Sequence, residues 1–252
     1  MFDIPLWAHR GYSGRYPENT MVAFAAAVEV GAAGIECDVR MTKDGHFVIL
    51  HDACVDRTTN GQGPIAEMTL AEVQQLDAGG WFGEAFVGMP VPTLSSLVAY
   101  VKRYPQMVVN LEWKVSLADP ARLQRALGVL ERAGIWRQVI HSSFDTQTLQ
   151  AVLRVHRDAN VALLTDEEPV LPDSLERAVQ LGAMAIHPHY RRVTQRYVQR
   201  AHQLGLRVHP YTVDNPKAIA WLADCGVDAV ITNWPRFDLP WQGIAEGPSP
   251  SR

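Results

Sequence analysis

A closed barrel of eight parallel β-strands, each followed by a helix, is the fold that this 252-residue sequence predicts. Three observations point there. Short β-branched or apolar runs alternate with amphipathic stretches at nearly even spacing, the mark of repeated strand–helix units in a parallel sheet. Eight such runs can be counted along the chain, the number with which a (β/α)8 barrel closes. With 47% hydrophobic and 20% charged residues, the chain can fill the core of one domain over 1–240.

The first strand is IPLWAH (4–9), which runs into His9, Arg10 and Gly11. Glu18-Asn19-Thr20 opens the first helix, where capping is the plain role, although Glu18 could also orient Arg10. GIECDV (34–39) is the second strand. HFVIL would make a ninth, but it follows RMTKDG, too short for a parallel crossover of about a dozen residues. Asp44-Gly45 is a strong hairpin signal, so 46–51 is expected to fold back antiparallel on 34–39. With a two-residue turn at Asp44-Gly45, Asp38 would face His51.

Residues 53–92 read as an insertion in the second strand–helix connection, on the face where barrels keep their sites. It holds glycines, prolines and one short helical piece, TLAEVQQLD, before a helix that begins near Thr93. Trp81, Phe82 and Phe86 either line the entrance or anchor the insertion to the barrel. The remaining strands are MVVNLEWK (107–114), QVIHSSF (138–144), VALLTD (161–166), MAIHPHY (184–190), RVHPYTV (207–213) and DAVITNW (228–234). Between the first two of these, Leu123, Leu127 and Leu130 share a helical face. Asp119-Pro120 starts that helix and Gly134 ends it. SLERAVQLG and YVQRAHQLG likewise end on glycine, and 241–252 reads as a disordered tail.

Composition excludes several classes. A formal net charge of −4 argues against a nucleic-acid surface, which needs basic clusters. No apolar run reaches the roughly 18 residues of a membrane span, so no stable membrane association is expected. The opening MFDIPLWAHR lacks the basic and apolar regions of a signal peptide. Three cysteines, Cys37, Cys54 and Cys225, show no zinc spacing and read as buried thiols of a reducing compartment, so a cytoplasmic location is expected. Oligomeric state is left open.

The chemistry sits where acids interrupt strands. Glu36, Asp38 and Arg40 share one face of the second strand and Ile35, Cys37 and Val39 the other. A barrel strand is buried on both faces, so two carboxylates on one face need compensation. NLEWK repeats the anomaly: Asn110, Glu112 and Lys114 fall on one face, and Glu112 adds a third acid beside Glu36 and Asp38. Three crowded acids repel or take up protons unless a cation holds them, and an all-oxygen set suits one Mg2+ or Ca2+ ion. With that ion, Arg10 and Lys114 the site keeps one net positive charge, which a phosphodiester would neutralise. His9 and His51, beside a phosphate held in this way, suit general acid and general base.

Other candidates have plainer readings. His187 and His189 have a spacing that zinc sites use, but no third soft ligand lies nearby in sequence. His141 beside Ser142 and Ser143 lacks a nucleophile elbow, and NGQGP precedes no helix and reads as a turn.

In order along the chain, AHRGYSGRYPENTMVAF, IECDVRMTKDGHFVILHDACVDRTTNGQGPI, VPTLSSL, NLEWK, YTVD and GVDAVITNWP resemble the signature segments of the glycerophosphodiester phosphodiesterases, from about residue 6 to 236. The resemblance implies a (β/α)8 barrel that hydrolyses a small-molecule glycerophosphodiester to an alcohol and glycerol 3-phosphate with a divalent metal. It puts the metal ligands on Glu36, Asp38 and Glu112, the catalytic histidines on His9 and His51, and the phosphate-contacting cations on Arg10 and Lys114. Tyr211 stands where many members have Trp, and Asp214 where Asn is common. Tyr211 is therefore read as the residue that shapes the alcohol pocket. Two rival readings are a same-fold phospholipase or lyase that forms a cyclic phosphate, and a non-catalytic phosphoester-binding barrel.

Overall fold

The computed structural model describes residues 3–166 and 172–237, so the tail expected over 241–252 lies outside the described residues. Its strands are β1 (Leu6–Ala8), β2 (Gly34–Met41), β3 (Phe47–Ile49), β4 (Val108–Trp113), β5 (Val139–Ser143), β6 (Asn160–Thr165), β7 (Ala185–Pro188), β8 (Arg207–Val208) and β9 (Val230–Thr232). The helices are α1 (Met21–Glu29), α2 (Leu70–Val73), α3 (Leu94–Val101), α4 (Pro120–Ala133), α5 (Thr146–Val155), α6 (Pro172–Leu181), α7 (Gln195–Gln203) and α8 (Pro216–Asp224). The parallel strands run in the order β8-β7-β6-β5-β4-β2-β1-β9, and β3 pairs antiparallel with β2 off this path. The circle closes between β8 and β9 through Asp228 N–H to Val208 O, Ile231 N–H to Pro210 O and Val213 N–H to Ile231 O, each 3.0 Å. The strand expected over 207–213 is regular only at Arg207–Val208 because Pro210 has no N–H to give a ladder.

Local chemistry explains the helix ends. Asp119 accepts the Arg122 N–H ahead of Pro120, and Gly134 closes α4 at φ 72°. Thr20, Thr69 and Thr93 cap α1, α2 and α3 in the same way. Period-two alternation then divides the sheet. Outward residues such as Ile35, Cys37, Val39 and Leu111 pack with Phe24, Leu97, Leu127 and Leu149 of the helices in the main core. Each such leucine contributes about 1.5–3 kcal/mol by its burial. Inward, Trp7, Ile140, Ala162, Ala185, Ala229 and Ile231 form a dry floor. The Trp7 indole is accommodated because position 34 is glycine: a Cβ there would lie 2.9 Å from its ring.

The hairpin forms, but its register differs by one residue from the expected one. The pairs are Val39↔Ile49, Arg40↔Val48 and Met41↔Phe47. Thr42 N–H donates to His46 O at 2.9 Å and Gly45 sits at φ 83°, so the loop has three residues, Lys43-Asp44-Gly45. Asp38 therefore opposes Leu50, whose N–H it accepts at 3.0 Å, and His51 lies beyond the strand. The far edge of β3 is covered by Pro92 and Thr93.

Residues 53–92 build their own small core, in which Val55, Ile65, Val73, Ala78 and Val91 pack on Val48 and Leu50. Phe86 is buried edge-on to Tyr16 at 5.8 Å and meets Phe82 edge-on in turn at 5.6 Å, so this aromatic run anchors the insertion. Cys37 and Cys225 are buried free thiols, but Cys54 is exposed, contrary to the sequence reading, because it pairs with Pro64 in an isolated bridge of the insertion where both residues face solvent. No helix among the described residues is long and apolar enough to cross a membrane.

Burial holds His141 and His187 down to about 3, and His209 well below the ordinary imidazole value. The unfolded chain takes up those protons near 6.5, so below that pH it binds more protons than the folded state, and stability falls as pH falls. Urea midpoints are expected to drop steadily from pH 7.5 to 4.5, with a shallower slope in His187→Asn. Midpoints that stay level over this interval would contradict neutral burial of these rings.

Candidate active site

Parallel pairing of β2 with β4 sets Glu36 beside Asn110 and Asp38 beside Glu112. One oxygen of each acid, Glu36, Asp38 and Glu112, lies within 4.8 Å of the others at the C-terminal mouth of the barrel. Glu36 and Asp38 are only 3% and 1% exposed, so the sequence-predicted trio does come together, almost out of water. Like charges so close and so dry are costly without partners.

Two cations answer them. Lys114, just past β4, bonds Glu112 and lies 3.4 Å from Asp38 Oδ1. Arg10 follows β1 in a left-handed turn, at φ 55° with Gly11 at φ 80°. A Cβ at Gly11 would sit 2.7 Å from the Ala23 backbone, so the turn demands glycine as well as tolerating the strained arginine. This turn aims the Arg10 N–H at Glu36 Oε2 (2.9 Å) and its Nε toward Asp38 Oδ2 (3.2 Å), while Nη1 donates to Glu18 (2.8 Å). Asn19 donates to Asp38 Oδ2 at 2.8 Å. For Asp38, burial pushes the carboxyl up, but Arg10, Lys114, His51 and Asn19 together hold it well below the usual range. Burial followed by the Asp38 and Glu112 charges pushes Glu36 well up, and burial with Asp38 pushes Glu112 up to about 7.

Glu36 Oε1 and Asp38 Oδ1 are buried without a hydrogen-bond donor, as is Asn110 Oδ1 cross-strand from Glu36. Donor-less anionic oxygens converging on one point are what a hard divalent cation satisfies, so the residues present fit such an ion. This acidic trio is the only cluster with metal-ligand geometry among the described residues.

Both histidines flank the acids. His9 Nδ1 meets Asn233 Oδ1 at 2.7 Å, and its Nε2 lies 3.9 Å from Glu36. Asn233 is oriented by Asp214, which accepts from its Nδ2 (2.6 Å) and its N–H (2.8 Å). The amide oxygen thus faces His9, whose Nδ1 carries the proton. His51 Nδ1 meets Asp52 Oδ1 at 2.6 Å, and the Asp52 carboxyl is held down at about 2: Arg57 and His51 outweigh its burial. Nδ1 of His51 is therefore the protonated nitrogen too. Burial lowers the proton affinity of both rings, to about 3 for His9.

Tyr211 takes a different position. It follows β8, three strands around from β2, where its hydroxyl donates to Thr165 O (3.2 Å) and its ring packs edge-on to Phe144 and His189. His187 is buried against His209 at 3.0 Å, and neither it nor His189 belongs to a group with metal-ligand geometry among the described residues, while His141 accepts from Trp113 Nε1 at 3.1 Å. Sequence reading missed Asn19, Asn233 and Arg57 as site residues. Asp214 carried a signal, its departure from the usual Asn, but nothing tied it to His9.

Comparison with known proteins gives a consistent picture. The profile of the Glycerophosphoryl diester phosphodiesterase family matches residues 9–236. A glycerophosphodiester phosphodiesterase of Caldanaerobacter subterraneus subsp. tengcongensis is 37% identical over 229 residues, covering 90% of this chain and 93% of its own. One from Bacillus subtilis is 34% identical, covering 90% and 83%. Among solved structures, an Oleispira antarctica phosphodiesterase in complex with the product sn-glycerol-3-phosphate is 30% identical with a TM-score of 0.84, covering 91% and 93%. A glycerophosphodiester phosphodiesterase from Agrobacterium tumefaciens is 27% identical with a TM-score of 0.78, covering 92% and 97%.

Mg2+ or Ca2+ is expected to raise the melting temperature, by a gain equivalent to about 2.7 kcal/mol at one hundred times Kd. The gain should shrink as pH falls through about 7, where a proton on Glu112 competes with the ion, and Glu36, also pushed up by burial and its neighbouring acids, adds to that competition. Glu36→Gln replaces an acid whose charged form burial, Asp38 and Glu112 all disfavour, and should stabilise the metal-free protein while cancelling the gain. A melting temperature indifferent to both ions in the unaltered protein would sink this reading of the acids.

Proposed function

The chain belongs to the glycerophosphoryl diester phosphodiesterase family, and from that membership we propose that it hydrolyses glycerophosphodiesters to an alcohol and sn-glycerol 3-phosphate, using one divalent cation, Mg2+ or Ca2+. The observation that carries this reading is the convergence of Glu36, Asp38 and Glu112 with Arg10, Lys114 and two oriented histidines at one barrel mouth. Support from outside the chain comes from the Oleispira antarctica phosphodiesterase in complex with the product sn-glycerol-3-phosphate.

In the proposed reaction Glu36, Asp38 and Glu112 would hold the cation. When bound, it supplies charge neutralisation and Lewis-acid polarisation at the phosphoryl group. The Arg10 guanidinium and the Lys114 ammonium offset charge that builds on the phosphoryl oxygens in the transition state. His9 and His51 each keep a proton on Nδ1, toward Asn233 and Asp52, so that Nε2 is the nitrogen free to exchange one. One Nε2 takes a proton from the nucleophile and the other gives one to the departing alkoxide. The nucleophile is water or, by way of a cyclic phosphate, the substrate's own hydroxyl. Tyr211, with Phe144 and His189 around it, would line the alcohol side of the mouth. Three unpaired thiols support a reducing, cytoplasmic setting.

A coupled glycerol 3-phosphate assay over several glycerophosphodiesters, run with Mg2+, Ca2+ and EDTA, tests the proposal. Turnover is expected with a divalent ion and is expected to vanish with EDTA. His9→Ala and His51→Ala should each reduce kcat by roughly 10²–10⁴-fold. Near-normal rates in both variants would overturn the histidine assignment, and binding without turnover would point to a phosphoester-binding barrel.

A further inference from the structure

Arg57 lies in the insertion, five residues after Asp52, and its guanidinium uses three donors at once. Nε donates to Asp52 Oδ2 at 2.6 Å, while Nη1 and Nη2 donate to the two oxygens of Glu18 at 2.8 Å each. Glu18 Oε1 also accepts Arg10 Nη1 at 2.8 Å, and Asp52 Oδ1 meets His51 Nδ1 at 2.6 Å. An unbroken chain, Arg10–Glu18–Arg57–Asp52–His51, therefore runs from the cation beside Asp38 to the histidine beyond the hairpin. It links the turn after β1 to the loop after β3.

We propose that Arg57 is a positioning residue of the reaction: one guanidinium fork holds Asp52 behind His51 and Glu18 behind Arg10, so that both groups keep one fixed relation to the reacting phosphate. This rests on the phosphodiesterase reading above. Lysine cannot replace the fork, because one ammonium is a point charge without three donors in a plane. Removing Arg57 leaves Glu18 and Asp52 as two anions with no cation between them, so that Asp52 loses its anchor and Glu18 is left to Arg10 alone. The Arg57 side chain is 44% exposed, so its ion pairs add little to fold stability and their effect falls on geometry. The charged groups that face His51 are Asp38 and Arg40 from β2, the latter donating its Nε to the His51 carbonyl at 2.8 Å, Arg10 from the turn after β1, Lys114 from the end of β4 and Asp52 from its own loop.

The test compares the unaltered protein with Arg57→Ala, Arg57→Lys, Asp52→Asn and the Arg57→Ala/Asp52→Asn double variant. Each is assayed with a glycerophosphodiester and Mg2+ from pH 5 to 9, alongside its melting temperature. Arg57→Ala is expected to lose about 10–100-fold in kcat with a smaller change in KM, the usual size for a residue acting through its neighbours. Arg57→Lys should keep the fold and recover only part of the rate. The pH limb of kcat should move to lower pH in Asp52→Asn, which removes the carboxylate that favours the His51 imidazolium, and in the same direction but by less in Arg57→Ala, where that carboxylate stays charged but is no longer held behind the ring. Millimolar guanidinium should restore part of the activity of Arg57→Ala, and the double variant should be little worse than Asp52→Asn. An unmoved pH limb, full rate in Arg57→Lys, or multiplicative losses in the double variant would each overturn the proposal. Inactivity of the unaltered protein towards every glycerophosphodiester would overturn the phosphodiesterase reading instead.

Discussion

Three carboxylates stand on two adjacent strands of a closed barrel with almost no water around them, and the rest of the site answers to that crowding. The crowding is imposed by packing. Ile35, Cys37, Val39, Leu111 and Trp113 are buried against the helices, so β2 and β4 cannot slip by one residue without turning acids into the main core. Asp38 and Glu112 are consequently held directly cross-strand, an arrangement that is destabilising for like charges. Arg10, Lys114 and Asn19 relieve it only in part, because donor-less oxygens remain on Glu36 and Asp38. Site and fold are in tension here, as buried charge arrangements held for function commonly are.

Around this centre, elements that are not barrel strands do the orienting. The hairpin and the insertion bring His51, Asp52 and Arg57 over the acids from one side. The loop after β9 brings Asn233 to His9 from the other, with Asp214 fixing the amide. The two rings thus share a tautomer but differ in partner. An ionised carboxylate stabilises imidazolium behind His51, whereas a neutral amide gives His9 orientation without that charge.

Much of this was legible in the chain. Leu123, Leu127 and Leu130 announced α4, Asp119 and Gly134 its ends, and Asp44-Gly45 the hairpin. The alternation in IECDV and NLEWK marked which face carries the acids, because the period of two is a local property of extended backbone. Turn chemistry was legible only in kind. Asp44-Gly45 serves a two-residue or a three-residue loop equally well, and Thr42 pairing with His46 decided for the longer one, which shifted the register by one and took His51 out of the strand. Cys54 went astray for a related reason: its exposure depends on how the insertion folds over its own small core.

By itself the sequence determined the barrel, the strand faces and the residue types that gather at its mouth, since these follow from short-range periodicity and capping. Only the tertiary structure decided which polar side chain orients which. His9 and Asn233 are 224 residues apart, and Glu18 and Arg57 are 39 apart. Such partners carry no local pattern, and they meet because closing the circle sets β9 beside β1 and because the insertion reaches the loop after β1 through Arg57 on Glu18 and Phe86 on Tyr16.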